Sequence, residues 1–170
     1  MQRTVRFWVG FLLVLGLMVA GCRSTSDWNP FVDLSSYEVI VIEDFEDRGT
    51  GVGSELADQV ASELLRLGDY REVLREPTGD NSIVVEGDVQ RYVEGNVPAR
   101  IKYGSAVGQS SMKVEVRISV EPSQQFVGSF TITESTLMTG PDARRTGRED
   151  IDWIQREVAR QIAERLANQK

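Results

Sequence analysis

Residues 112–120 read Met-Lys-Val-Glu-Val-Arg-Ile-Ser-Val, an unbroken alternation of apolar and polar side chains. Successive side chains of a β-strand point to opposite faces of the sheet, so all the apolar positions face one way and the polar positions the other. The stretch therefore predicts a strand with one buried and one solvated face, which is typical of a sheet that helices cover on one side.

The following segment predicts an antiparallel partner for this strand. Residues 126–138 continue the alternation, and the turn-forming segment 121–125, which contains a proline, predicts the hairpin loop between the two strands. The residues assigned to the buried face of the partner strand are Phe126, Gly128, Phe130 and Ile132.

The segment upstream predicts a parallel part of the same sheet. Residues 37–45 contain the run Val-Ile-Val-Ile, which predicts a strand covered on both faces. Apolar residues at helical spacing follow over 54–67 and end at Gly68, a residue suited to closing a helix. Further short strands are predicted near 70–75 and 82–92. Because the first two strands flank a helix, they should be parallel to each other, which makes the sheet mixed.

The C-terminal segment predicts a second long helix. Thr146 and Glu149 have the spacing of a capping box, and an apolar stripe runs through 147–168. The predicted fold is α+β: a two-layer sandwich whose mixed, mostly antiparallel sheet of four to five strands carries two helices on one face. We expect a single domain over 37–170.

The N-terminus, residues 1–21, predicts a signal peptide. Two arginines precede an apolar run over 7–20, which as a helix spans about 21 Å and is too short for a bilayer core of roughly 30 Å. The segment at its end resembles the lipobox of bacterial lipoproteins, where cleavage leaves an acylated cysteine at the new N-terminus. Its residues are Val19, Ala20, Gly21 and Cys22.

Cys22 is therefore the predicted lipid anchor, and the membrane is the first predicted partner. Acyl chains contribute about 0.8 kcal/mol of membrane-binding free energy for each buried methylene. The three chains of a bacterial lipoprotein therefore keep the protein on the membrane almost permanently. Arg23 follows, not the aspartate that resembles an inner-membrane retention signal in enteric bacteria. This favours the inner leaflet of the outer membrane, facing the periplasm. Residues 22–36 are predicted to be the anchor and a polar linker.

Composition excludes several functional classes. The sequence has no histidine and one cysteine, which excludes histidine-based triads, histidine metal sites, intrachain disulfides and zinc ribbons. The net charge is −7, and without the leader 17 bases stand against 26 acids. Such an acidic chain disfavours nucleic acid as a partner. We expect no catalysis and no cofactor.

Four further features follow one another along the chain. They are the acidic turn after residues 39–45, a helix beginning with Glu55, the segment Val-Val-Glu-Gly-Asp-Val at 84–89, and a glycine-punctuated connector leading into the alternating strand. Together they resemble a family of uncharacterised bacterial lipoproteins, domain of unknown function 4410. The resemblance covers most of 37–168 and implies no reaction.

The connector over 95–110 is the predicted contact surface. It contains no acid although the chain is acidic, and it carries Arg100, Lys102 and Tyr103. Long connectors of this kind are often functional or disordered. We expect these three residues to contact a protein partner in the cell envelope. A second group of cations before the last helix could meet anionic headgroups or a partner carboxylate: Arg144, Arg145 and Arg148.

The sequence thus predicts a lipid-anchored, non-catalytic accessory or assembly module of the periplasm, with two alternatives. The acidic turn at 43–47, together with the glycine loop at 49–53, could bind a cation or another small ligand. Less favoured is a hydrolase that relies on a pair of carboxylates alone, as glycosidases do.

Overall fold

The computed structural model describes residues 26–29, 32–79, 81–104, 107–136 and 146–170. These residues form an α+β fold with three α-helices and an open mixed sheet of six strands. The predicted class is confirmed, whereas the expectation of four to five strands and two helices was too low. The predicted leader and Cys22 lie outside the described residues. Within the described part of the chain, no helix is both long and apolar enough to cross a membrane.

The strands of the sheet are β1 (Ser26–Trp28), β2 (Val39–Ile42), β3 (Glu72–Leu74), β4 (Ile83–Val93), β5 (Ser111–Val120) and β6 (Gln125–Ser135). The helices are α1 (Gly53–Leu67), α2 (Val97–Tyr103) and α3 (Gly147–Ala167), with a short 3-10 turn at Leu34–Ser36. The strand order is β1-β6-β5-β4-β2-β3. β2 runs parallel to β3, as predicted, and also parallel to β4, while the other neighbours are antiparallel.

The helices α1 and α3 pack against each other and against one face of the sheet. The alternation in β5 accounts for this arrangement, because its apolar residues all enter the core beneath the helices with at most 2% exposure. These residues are Met112, Val114, Val116, Ile118 and Val120. In β2, Ile40 and Ile42 join the same core, while Val41 between them is fully buried as well. The prediction that this strand is covered on both faces is confirmed.

The predicted alternation fails at the start of β6. Phe126, assigned to the core, is 50% exposed, and Val127 is buried in its place. The reason is a shift of register between Ile118 and Ser119 of β5, which pairs Phe126 with Ser119 on the solvent face. Beyond the shift, Phe130 and Ile132 occupy the core as predicted.

The fold begins earlier than predicted. Part of the expected linker forms the edge strand β1, in which Ser26 lies opposite Phe130 of β6. The Trp28 ring stacks on the Phe130 ring with centroids 6.1 Å apart, and Leu34 is buried in the core. The fold therefore includes residues before 37 that the sequence assigned to the linker.

Both helix-end signals behave as the sequence predicts. Gly68 closes α1 in the left-handed conformation with φ 77°. Thr146 and Glu149 form the predicted capping box: the Glu149 amide donates to the Thr146 hydroxyl at 3.1 Å, and the Thr146 amide donates to the Glu149 carboxylate at 2.7 Å.

Candidate functional site

The connector between β4 and β5 contains the helix α2, which the sequence analysis missed. The Asn96 side chain caps it by accepting a hydrogen bond from the Ala99 amide at 3.0 Å, and Pro98 lies in its first turn. An asparagine followed by an early proline is a known start signal for a helix. Those two residues could have revealed α2, but its seven residues are too few to show apolar periodicity.

Arg100 is buried, although the prediction placed it on a surface that contacts a partner. Its guanidinium forms an ion pair with the carboxylate of Asp150 in α3, and the two side chains are 2% and 0% exposed. A residue buried to this extent has no surface to offer a partner. Arg100 instead fixes α2 to the first turns of α3, and its predicted role in partner contact is corrected to a structural one.

Lys102 and Tyr103, the other two predicted contact residues, lie on the surface. Tyr103 is 64% exposed and Ile101 is 77% exposed, while the Lys102 ammonium lies 5.0 Å from the centroid of the Tyr103 ring. Three of the seven exposed large apolar side chains among the described residues belong to this connector, and a fourth, Val93, ends β4 beside it. We call Val93, Ile101, Lys102, Tyr103 and Val107 the connector surface.

The sheet face opposite α1 and α3 carries an acidic groove. Its cavity of about 160 Å³ is lined by six carboxylates and one guanidinium. The charged residues are Glu43, Asp44, Glu46, Glu86, Asp88, Glu115 and Arg117. Burial raises the pKa of Glu43, and the negative charges of Glu86 and Glu121 raise it further.

The same face carries a groove of opposite character next to the connector. Arg91 of β4 lies directly opposite Lys113 of β5, and both line a shallow groove of about 500 Å³. None of the described residues that line this groove is acidic. We call it the basic groove. Its remaining lining is Val93, Gly108, Gln109, Ser111, Thr133 and Ser135.

The acidic turn and the glycine loop, the basis of the ligand-binding alternative, are largely occupied by contacts within the protein. The Asp47 carboxylate accepts hydrogen bonds at 2.9 Å from the amides of Gly53 and Gly49, which lowers the pKa of Asp47. Those are the amides that a phosphate would need. Asp44 is ion-paired with Arg75. Across the described residues, no group of three or more His, Cys, Asp or Glu is arranged to hold a metal ion.

The remaining predicted site residues fall partly outside the described chain. Val19, Ala20, Gly21 and Cys22 lie outside it, as do Arg144 and Arg145. Arg148 is described, and it is exposed in the first turn of α3.

Solved structures with a similar fold come from several bacteria. A dodecamer of a PelC variant from Paraburkholderia phytofirmans aligns with a TM-score of 0.55 at 16% identity, over 82% of this chain and 94% of that chain. A second PelC dodecamer from the same organism aligns with a TM-score of 0.51 at 15% identity, over 78% and 96% of the two chains. At this identity the likeness concerns the fold alone.

A Xanthomonas campestris protein of family DUF330 aligns with a TM-score of 0.52 at 14% identity, over 83% of this chain and 89% of that chain. A comparison with curated proteins found no match. The model of one family, described as "Domain of unknown function (DUF4410)", matches residues 42–140, which is more than half of the sequence. The predicted resemblance is thereby confirmed, and the chain belongs to the family with domain of unknown function 4410.

Proposed function

We propose that the chain is a lipoprotein anchored through acylated Cys22 to the inner leaflet of the bacterial outer membrane. It acts there without catalysis, as an accessory or assembly module that works by contact with other components of the envelope.

The anchor is supported by the sequence before the domain. A basic start, a short apolar run and a lipobox-like end follow one another, and the apolar run alone is too short to span a bilayer. Acylation also removes a lone thiol, which would be reactive in an oxidising compartment.

The contact role rests on one observation: the connector surface is exposed, while the ion pair of Arg100 with Asp150 that fixes α2 to α3 is buried. Ile101 and Tyr103 are well over half exposed, yet the Arg100 next to them is buried in an ion pair with Asp150. Large apolar side chains gathered on one surface of a soluble domain mark contact sites. A helix held from below by a buried ion pair presents such side chains in a fixed geometry.

A photo-crosslinking amino acid at Tyr103 tests this role in living cells. We expect adducts with a component of the envelope, and we expect far fewer from the same probe at Leu65, an equally exposed apolar position on α1. Equal labelling from the two positions would contradict a specific contact at the connector surface.

We propose self-association as a second form of assembly; two structures with a similar fold are PelC dodecamers. Because both grooves lie on the same sheet face, a second copy related by a two-fold axis can place its basic groove on the acidic groove of the first, and the reverse, which suits an isologous contact. Analytical ultracentrifugation of the full chain in detergent should show an oligomer that dissociates at high salt. A monomer at every protein concentration would rule this form out.

A further inference from the structure

We propose that the partner of the connector surface is the bilayer itself: the end of the sheet that carries α2 rests on the membrane, and the basic groove binds anionic phospholipid headgroups. This inference rests on the proposed anchor at Cys22 and names the contact that the anchored domain makes.

The first step is the length of the tether. Because β1 starts at Ser26, only three residues separate the folded sheet from Cys22. Four peptide units reach at most about 14 Å when fully extended. The domain therefore lies against the membrane surface, and one part of it must face the lipid.

The second step is the direction of the tether. β1 runs antiparallel to β6, and Ser26 lies opposite Phe130, so the N-terminal end of β1 points toward the end of the sheet at Ser135. The register places Val93, Ser111 and Ser135 side by side at that same end. From Phe130 to Ser135 a strand spans roughly 17 Å, about 3 Å more than the extended tether reaches, and the Cys22 side chain with its glycerol linkage has to cover the remainder. The anchor and the connector surface therefore belong to the same end of the domain.

The third step is the chemistry of that end. Ile101 supplies an apolar side chain, while Lys102 and Tyr103 have apolar bodies with polar tips, the combination that suits a membrane interface. These three side chains are exposed in the isolated chain, and at the membrane the headgroups and the first part of the acyl chains would cover them.

The fourth step is the pair of facing cations in the basic groove. Like charges directly opposite each other on neighbouring strands repel, so Arg91 and Lys113 destabilise the sheet unless an anion lies between them. Neither cation forms an ion pair with a described residue. The hydroxyls of the lining serines and threonine can donate hydrogen bonds to the same phosphate.

The acidic groove fits the same orientation. It lies farther along the strands from this end, at the level where Glu86 pairs with Arg117, whereas the basic groove lies where Arg91 pairs with Lys113. An anionic bilayer would attract the basic groove and repel the acidic one, which orients the domain with the acidic groove away from the lipid.

The test uses the full acylated chain, reconstituted in vesicles of phosphatidylethanolamine and phosphatidylglycerol. A spin label is attached to Ile101→Cys or, as a matched control, to Leu65→Cys, which lies near the other end of the domain beside the start of β3. Collisions of each label with oxygen and with a water-soluble nickel chelate are measured. We expect a several-fold loss of nickel accessibility at position 101 on reconstitution and no loss at position 65.

The charge requirement is tested with two double variants that change net charge equally. Arg91→Glu with Lys113→Glu should return the label at position 101 to the nickel-accessible state. Arg66→Glu with Arg71→Glu, which alters exposed arginines at the other end, should not. Thermal melts of each variant check that the fold is retained.

The outcomes separate this inference from the proposed function. Vesicle flotation with an equally nickel-accessible label at positions 101 and 65 would overturn the inference while the anchor stands. Failure to float would overturn the anchor. Protein adducts in place of lipid adducts from the photo-crosslinker at Tyr103 would also overturn the inference, because the partner would then be a protein.

Discussion

The guanidinium of Arg100 and the carboxylate of Asp150 form an ion pair in the interior of the protein, although 50 positions separate the two residues in the sequence. The pair joins α2 to the first turns of α3. Gly147 and Gly95 meet beside it, and a Cβ at Gly147 would lie only 2.0 Å from the Gly95 carbonyl oxygen. The connector is thus packed onto the domain by a buried ion pair and a close backbone approach.

Replacing Arg100 should therefore destabilise the whole domain. Arg100→Ala leaves the Asp150 carboxylate buried without its counter-ion, and breaking a buried pair from one side costs about 3–5 kcal/mol. Lys102→Ala, at a neighbouring exposed position, should change stability by less than about 0.5 kcal/mol. Urea unfolding of the two variants measures the difference, and equal stabilities would show that the pair does not support the fold.

A double variant separates burial of charge from packing. Arg100→Met combined with Asp150→Leu removes both charges and keeps apolar volume, so it should recover much of the stability that Arg100→Ala loses. Urea unfolding is again the measurement. If the double variant is as unstable as the single one, contacts of Arg100 other than the ion pair with Asp150 stabilise the domain.

The acidic groove should lower the free energy of unfolding at neutral pH. Because burial raises the folded-state pKa of Glu43 above its ordinary value of 4.5, the folded state disfavours the ionised carboxylate. Stability is lost as the pH rises through this raised pKa, so Glu43→Gln should raise the melting temperature at about pH 7. The advantage should shrink below the ordinary pKa, where wild-type Glu43 is also neutral. A variant that is less stable at neutral pH would contradict the sign.

The register shift in β6 makes a prediction about two adjacent residues. Val127→Ala opens a cavity under the helices and should cost about 2 kcal/mol, since roughly two methylenes leave the core. Phe126→Ala removes a larger side chain from the solvent face and should cost less than about 1 kcal/mol. Chemical denaturation ranks the two. The reverse order would indicate that Phe126 and not Val127 lies in the core, as uninterrupted alternation predicts.

Much of the fold was predictable because periodicity reports burial. The alternation through Met112–Val120, the unbroken apolar run of β2 and the capping box of Thr146 each correspond to the element that the structure contains. The elements that the sequence did not predict are those without a periodic pattern of apolar residues. β1 has three residues, and pairing with β6 defines it, while the shift at Phe126 arises from strand pairing and not from composition.

The connector surface was predictable only in part. The absence of acids drew attention to a connector that does carry exposed apolar side chains, but sequence alone could not separate the buried Arg100 from the exposed Lys102 two positions later. The basic groove was missed because Arg91 and Lys113 are 22 positions apart and meet only through strand register. Likewise, the sequence did not reveal that only three residues separate Cys22 from the sheet, because β1 lies in the segment predicted to be a linker.

The account depends most directly on the chemistry of Cys22. Mass spectrometry of the N-terminal peptide from protein isolated from its own membranes is the measurement that tests it. The account predicts a mature chain that begins at Cys22, lacks residues 1–21 and carries acyl groups. A chain that retains its leader, or begins with an unmodified cysteine, would contradict it.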